Sequence, residues 1–163
     1  MKNLNRILIW LIVSILVVGG FAMTQKVEET QPYYSNAIAL NDKGEILLSQ
    51  KGLKRLDLFS ADGATLLKSY LFTQTPTGVA THNDKAYVTT FDTEGELHIL
   101  DLTTGNVEAV VKIGSGASYP LLSADKKHLY VCNQFANTVS EIDLSSNKIT
   151  RRSTFKNRLL QNA

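Results

Sequence analysis

The residues of this chain whose types could do chemistry are three histidines, one cysteine and a few clustered carboxylates, and their spacing limits what they can do. His82, His98 and His128 are far apart in sequence, without the close spacing that puts two imidazoles on one metal; they are expected at exposed turn and strand positions. A single cysteine, Cys132, excludes an intrachain disulfide and a Cys-rich zinc site. As a nucleophile it would need an electropositive neighbourhood and a base, and the flanking Tyr130-Val131 and Asn133 supply neither, so it reads as a small buried hydrophobe. Asp92 and Glu94 could offer carboxylate oxygens to a hard cation, but two acids in one turn read first as a solvated turn. Gly114-Ser115-Gly116 is too short for a nucleotide loop and no helix pattern follows it. Asp101 and Asp143 recur at one position of a repeat; a catalytic carboxylate has no reason to recur, and both are expected to accept hydrogen bonds from the Thr or Ser turn that follows. No catalytic, cofactor-binding or metal residue is assigned, and no cofactor is indicated.

Those residues sit in a chain of globular composition. Of 163 residues, 44% are hydrophobic and 20% charged, enough for a core and unlike a disordered chain. The net charge of +2 hides an asymmetry. Lys2 and Arg6 precede an apolar segment, and Lys148, Arg151, Arg152, Lys156 and Arg158 follow the last acid, Asp143. Apart from those seven, ten basic residues stand against fifteen acidic ones, a body near −5. That balance excludes a nucleic-acid-binding body, which needs a clustered basic face. The basic tail, 156–163, could touch anionic lipid or an acidic partner, with a solvated terminus as the default.

Export is the expected address. Two positive charges precede Ile7 to Val18, which is apolar except for Ser14, the pattern of a secretory n-region and h-region. Gly20-Phe21-Ala22 supplies small residues for cleavage after Ala22. The alternative is retention as an anchor, although the apolar run is short for a comfortable span. Residues 1–22 are therefore a signal peptide or membrane anchor, and the only membrane contact expected is through them if they are uncleaved. Either way the remaining chain lies in the periplasm or cell envelope, on the side opposite the positive end. No cysteine follows the apolar run, which excludes a lipoprotein. Residues 23–33, with Glu28, Glu29 and Pro32, read as a polar spacer.

After the spacer the chain repeats itself. Leu56-Asp57-Leu58, Leu100-Asp101-Leu102 and Ile142-Asp143-Leu144 line up, 44 and then 42 residues apart. Upstream of each lies a second strand-like run: Glu45 to Ser49, Lys85 to Thr89 and His128 to Cys132, with Tyr87-Val88 and Tyr130-Val131 separated by 43 residues. A period near 40 to 45 filled by short strands is a propeller-blade signature. Corners rich in Asn, Asp, Ser and Gly, such as Asn41 to Gly44, Asn83-Asp84 and Asp125 to Lys127, suit tight hairpins. Between them run period-two stretches such as Thr138 to Ile142.

The third unit resembles the YVTN β-propeller repeat family. Ser123-Ala124-Asp125-Lys126 stands at the family's turn, Tyr130-Val131-Cys132-Asn133 at its strand end, and Thr138-Val139-Ser140-Glu141-Ile142-Asp143 at its next strand. Cys132 takes a position that is small or hydroxylated in the family. The second unit keeps Tyr87-Val88-Thr89 but has Thr90 in place of the asparagine, and the first keeps only the apolar skeleton. Tyr87, Val88, Asp101, Tyr130, Val131, Asn133 and Asp143 are thus repeat positions, structural in what the resemblance implies. It also implies an exported propeller, commonly of seven blades, and carries no reaction with it.

The expected fold is all-β: about three four-stranded antiparallel blades in an incomplete ring, after the N-terminal hydrophobic signal or anchor helix. The blades fall at about 34–72, 75–114 and 115–155. Closed propellers have four to eight blades, so the chain is expected to be a truncated copy or to self-associate through its open blade edges. Propeller function lives in end loops, which makes Asp92, Glu94, Ser118, Tyr119, Asn133 and Gln134 the candidate ligand-face residues. The expected function is an exported binding or scaffolding module without catalysis of its own, its protein or small-molecule ligand unspecified. The alternative is the N-terminal fragment of a larger propeller enzyme: a lactonase, an oxidoreductase, or a propeller joined to a hydrolase domain.

Overall fold

The structure, a computed structural model, describes residues 34–92 and 94–155; the signal or anchor segment, the spacer and the basic tail lie outside them. The described residues are all-β apart from one 3-10 turn at Gln134–Ala136. Three antiparallel sheets follow one another along the chain. The first is β1 (Ser35–Leu40), β2 (Ile46–Gln50), β3 (Arg55–Phe59) and β4 (Leu66–Leu71). The second is β5 (Pro76–His82), β6 (Lys85–Phe91), β7 (Gly95–Asp101) and β8 (Val107–Lys112). The third is β9 (Ala117–Leu122), β10 (His128–Asn133), β11 (Thr138–Asp143) and β12 (Lys148–Thr154). Each sheet is a simple meander in chain order. The innermost strands β1, β5 and β9 pack on one another, giving three propeller blades in an open arc.

Local chemistry explains the hairpins. With the four strands of each blade lettered A to D in chain order, in the A–B turn of the third blade Ser123 Oγ donates to Asp125 at 2.6 Å, Asp125 accepts from Lys127 N, and Ser123 Oγ accepts from His128 N. The C–D turn of the first blade repeats this network with Ser60, Asp62, Ala64 and Thr65. Ser-Ala-Asp therefore builds the same turn at two different corners. Its fourth residue, Lys126 or Gly63, takes a positive φ of 59° or 72°. The second blade turns instead through Asn83 and Asp84, both left-handed at φ 49° and 54°, a two-residue hairpin geometry that Asx residues tolerate.

Two apolar layers hold the arc together. Leu47, Leu56, Leu58 and Tyr70 of the first blade meet Val79, Ala86, Val88 and Leu100 of the second. Tyr87, Leu97 and Ile99 of the second meet Leu129, Val131 and Ile142 of the third. Burial of each large side chain contributes about 1.5–3 kcal/mol. Side chains alternate between the sheet faces, so every blade has one face toward its predecessor and one toward its successor.

Pairing corrects one alignment. Ser60 N bonds Thr65 O across its turn as Asp101 N bonds Asn106 O, and Asp143 pairs with Lys148. Ser60, not Asp57, thus occupies the position of Asp101 and Asp143, and the first spacing is 41 residues rather than 44. Leu-Asp-Leu is apolar–polar–apolar in either phase, so the pattern alone slips. Asp57 sits mid-strand at 1% exposure, taking hydrogen bonds from Ser69 Oγ and Arg55 Nε at 2.5 and 2.9 Å.

Candidate functional site at the linker end of the blades

In each meander the first strand leaves the incoming linker, the second returns and the third leaves again. The blade-to-blade linkers and the B–C connections therefore share one end, and the A–B and C–D hairpins share the other. At the linker end, Asn36 and Lys51 of the first blade, Thr77 and Phe91 of the second, and Ser118, Tyr119, Gln134 and Phe135 of the third line a groove of about 250 Å³. A larger cavity of about 640 Å³ adjoins it along the inner strands, walled by Ile38, Gly78, Val79 and Leu121 and, from the third blade, by Tyr130, Cys132 and Val139. Asn36 and Tyr119 line both.

Tyr119 is the unusual residue of the site. It lies inside β9 with φ at 51°, an outlier for a bulky side chain that costs on the order of 1–3 kcal/mol and is informative about function when seen. The register of β9 against β10 shifts beside it. The neighbouring strand fixes this shape: a Cβ at Gly78 would collide with Pro120, Thr89 and the Tyr119 backbone nitrogen, so only glycine lets β5 approach. Thr77 Oγ1 completes the join, donating to Ala117 O at 2.6 Å. The bulge leaves the Tyr119 ring 64% exposed.

Phe135, 68% exposed, meets Phe91 edge to face, with ring centroids 5.3 Å apart, and keeps its other side open. Gln134 N is anchored on Gly116 O at 3.1 Å, while the Gln134 side chain is exposed. Lys51 is the one charged residue in the groove lining, and no ion pair engages it among the described residues. The arrangement offers two aromatic surfaces, two side-chain amides, a hydroxyl and an ammonium to one guest. By shape and chemistry that mixture is complementary to a molecule with an apolar planar face and a hydrogen-bond acceptor or negative group at its edge.

The other expected ligand-face residues have different places. Asp92 clasps two blades together: it accepts from Lys54 Nζ at 2.8 Å and from Thr75 Oγ1 at 2.7 Å, and these bonds, that from Lys54 foremost, hold its carboxyl below the usual range. Glu94 pairs with Lys112 at 3.0 Å on the surface. The two acids thus answer to different cations, and no group of three His, Cys, Asp or Glu able to hold a metal forms among the described residues. Ser118 is buried and donates to Gly116 O. Asn133 is also buried; its amide donates to Thr138 Oγ1 and Ser140 Oγ, each at 2.9 Å, while its Oδ1 has no partner and lies against Gly114. Of the candidates, Tyr119 and Gln134 meet in the groove as accessible groups and Ser118 lines its floor.

The repeat positions lie in the sheets. Tyr87 and Val131 belong to the core between second and third blades, and Val88 to that between first and second. Tyr130 faces the cavity. Asp101 accepts from Thr103 N and Thr104 N, both at 2.8 Å. Asp143 accepts from Ser145 and Ser146, through hydroxyls and amides, which brings its carboxyl down to about 2.

Two expectations are corrected. His98 is buried, not exposed: it faces the first blade, edge-on to Phe72 at 5.3 Å and 3.2 Å from Glu96, and burial pushes its pKa down. Cys132 is half-buried on the cavity wall rather than in a core. Asn36, Lys51, Thr77 and Phe91 fall outside the loops that the sequence marks as candidates, whereas Phe135 lies within one, Asn133 to Asn137. Lys51 and Phe135 carried a signal, since both lie in the B–C segment of their repeat.

No family model and no curated protein matches the chain. Solved structures do. Hydrazine synthase of Kuenenia stuttgartiensis superposes with a TM-score of 0.72 at 16% identity, over 83% of this chain and 39% of that one. Hsv2 of Kluyveromyces lactis gives 0.57 at 18%, over 76% and 38%. The computationally designed Ika8 protein gives 0.61 at 12%, over 76% and 40%. Hydrazine synthase and Hsv2 are β-propellers, and the likeness establishes that fold for the described residues. The chain spans about two fifths of the length of these structures.

Proposed function

We propose that this chain is an exported β-propeller segment of the YVTN type that acts as a binding module, without catalysis of its own. The observation that carries the reading is the groove at the linker end, where three blades each contribute side chains and a strained Tyr119 is held out beside Phe135, Gln134 and Lys51. Its guest is a small molecule or side chain with a planar apolar face and an anionic edge, such as an aryl carboxylate. The carboxylates of the blades favour a structural reading of themselves, because Asp92, Asp101 and Asp143 are committed to neighbouring backbone, hydroxyl and ammonium donors. The repeat type is supported by the third blade: the asparagine of Tyr-Val-x-Asn bonds the hydroxyls of the following Thr-Val-Ser across two strands. Export rests on the charged and apolar pattern of residues 1–22.

Calorimetric titration of the chain with phenylacetate and related aryl carboxylates tests the binding reading. Saturable binding is expected, weakened at least tenfold by Phe135→Ala and by Lys51→Ala and unchanged by Asp62→Ala at the opposite end. Equal affinity in all four proteins, or none at millimolar ligand, overturns it. Turnover of any substrate by the purified chain would transfer the reading to the propeller enzymes. For export, a reporter active only outside the cytoplasm, fused after residue 33, is expected to be active; an inactive fusion refutes that part.

A further inference from the structure

The groove at the linker end does not stop at Lys51. A second depression of about 570 Å³ opens beside it, lined by Tyr34, Ser35, Gly52 and Thr75, and Asn36 and Lys51 line both. The junction is fixed from two sides. Lys51 N donates to Tyr34 O at 2.8 Å, and Asn36 Nδ2 donates to Thr77 O at 3.1 Å. Groove and depression together form one trench with an ammonium at its middle.

The side chains along this trench are selectively aromatic. Among the described residues the exposed rings are Tyr34 at 62%, Tyr119 at 64%, Phe135 at 68% and Phe155 at 68%, and all but Phe155 line it. None of the exposed leucines, isoleucines and valines does. Hydroxyls and amides stand between the rings, Ser35, Asn36 and Thr75 in one half, Thr77 and Gln134 in the other. A docking surface for another protein gathers a continuous apolar core, whereas rings interleaved with hydrogen-bonding groups suit a guest that is apolar on one face and hydroxylated at its rim. A pyranose is built that way. Its axial C–H bonds carry partial positive charge and rest on the negative face of an aromatic ring, while its hydroxyls reach the amides and hydroxyls alongside. Lys51 is the one charged side chain lining either half. The nearby carboxylate of Asp92, which accepts from Thr75 Oγ1 at 2.7 Å, is already matched by Lys54 at 2.8 Å, so the positive charge of Lys51 is left for the guest.

We propose, resting on the binding reading of the groove, that the guest is an acidic oligosaccharide laid along both halves of the trench. One hexuronate carboxylate sits on Lys51 at the junction, one pyranose face lies on Tyr119 and Phe135, and a further unit lies on Tyr34. A hexuronate meets both demands that the groove makes, an apolar face and an anionic edge. The second depression adds what a lone aryl carboxylate leaves unfilled, room and a ring for the next sugar unit. Linked units then gain over a single one because the second contact is made within the same complex.

The test is calorimetry of the full chain with four probes: β-1,4-linked tetraglucuronate, glucuronate, cellotetraose as the neutral tetramer of the same linkage, and phenylacetate as a probe of the groove alone. Tetraglucuronate is expected to bind about tenfold tighter than glucuronate or cellotetraose. Lys51→Ala is expected to erase its advantage over cellotetraose and Lys51→Arg to keep it. Tyr34→Ala is expected to weaken tetraglucuronate about fivefold and leave phenylacetate unchanged, which also shows that the variant is folded. Binding of phenylacetate without tetraglucuronate would overturn the oligosaccharide and leave the groove reading standing, whereas binding of neither would overturn both. Equal affinity for tetraglucuronate and cellotetraose would remove the acidic guest. Unchanged tetraglucuronate affinity in Tyr34→Ala would confine the guest to the groove, and either result overturns the proposal.

Discussion

At the hairpin end of the blades, polar side chains are spent on their own backbone: Asn41, Asp62, Asp101, Asp125 and Asp143 each accept from amides two to four residues onward. At the linker end they reach across blades, Lys54 to Asp92, Asn36 to Thr77 O and Thr77 to Ala117 O, and three remain exposed or unpaired around a groove. Short-range bonds shape each turn locally, although the first hairpins of neighbouring blades also touch, Asp42 accepting from Asn83 N at 2.9 Å and Lys43 pairing with Asp84 at 2.7 Å. Long-range bonds make a surface that exists only when three blades are in place, and such a surface can recognise something. A guest site is therefore expected at the end where local bonding is incomplete.

Four changes break or sharpen that contrast, in descending order of effect. Gly78→Val removes the close approach of β5 to β9, driving a side chain into Pro120 and the Tyr119 nitrogen; a loss of about 3 kcal/mol is expected in urea unfolding, with the groove lost alongside. Asn133→Ala removes the amide that ties β10 to β11 through Thr138 and Ser140 and costs about 2 kcal/mol. Recovery of full stability in that variant would show that the unpartnered Oδ1 offsets the two bonds.

Acid should act chiefly through the hairpin end. The carboxyls of Asp62, Asp125 and Asp143 are held below their ordinary value by serine hydroxyl and turn-backbone donors, and that of Asp101 by the amides of Thr104 and Thr103. A folded pKa below the unfolded one stabilises at pH above about 3.8 and is lost as the pH falls toward about 2, the Asp143 value. Buried His98, also depressed, adds a smaller loss beginning below pH 6.5. Stability measured against pH should decline in those two windows, and Asp101→Asn with Asp143→Asn should flatten the lower one. A decline confined to the upper window would mean that the turns carry no acid sensitivity. Smallest in stability is Phe135→Ala, expected within about 0.5 kcal/mol of the parent because the ring is exposed, yet large for aryl carboxylate affinity.

The same contrast governs how much could be read from the residues. The hairpin corners, the second strand of every blade and the 43-residue step from Tyr87-Val88 to Tyr130-Val131 follow from local pattern, because Asx turns and period-two alternation are local. The third strand of the first blade was misphased because Leu-Asp-Leu satisfies alternation in two registers, and only pairing with β2 and β4 decides between them. His98 looked exposed since its cover, Phe72, comes from a linker 26 residues earlier. Ser118 and Asn133 lie near the linker end but are buried, and that burial depends on strands that arrive from elsewhere. Lys51, Phe91 and Phe135 come together only through the stacking of three blades, which no single repeat reveals.

The most direct measurement is a two-dimensional amide spectrum of the isotopically labelled chain titrated with phenylacetate. Shifts concentrated at Lys51, Phe91, Tyr119, Gln134 and Phe135, with the Asp62, Asp101 and Asp143 turns unmoved, are the predicted result. Shifts at the hairpin turns instead, or a spectrum unchanged at millimolar ligand, would contradict the assignment of recognition to the linker end.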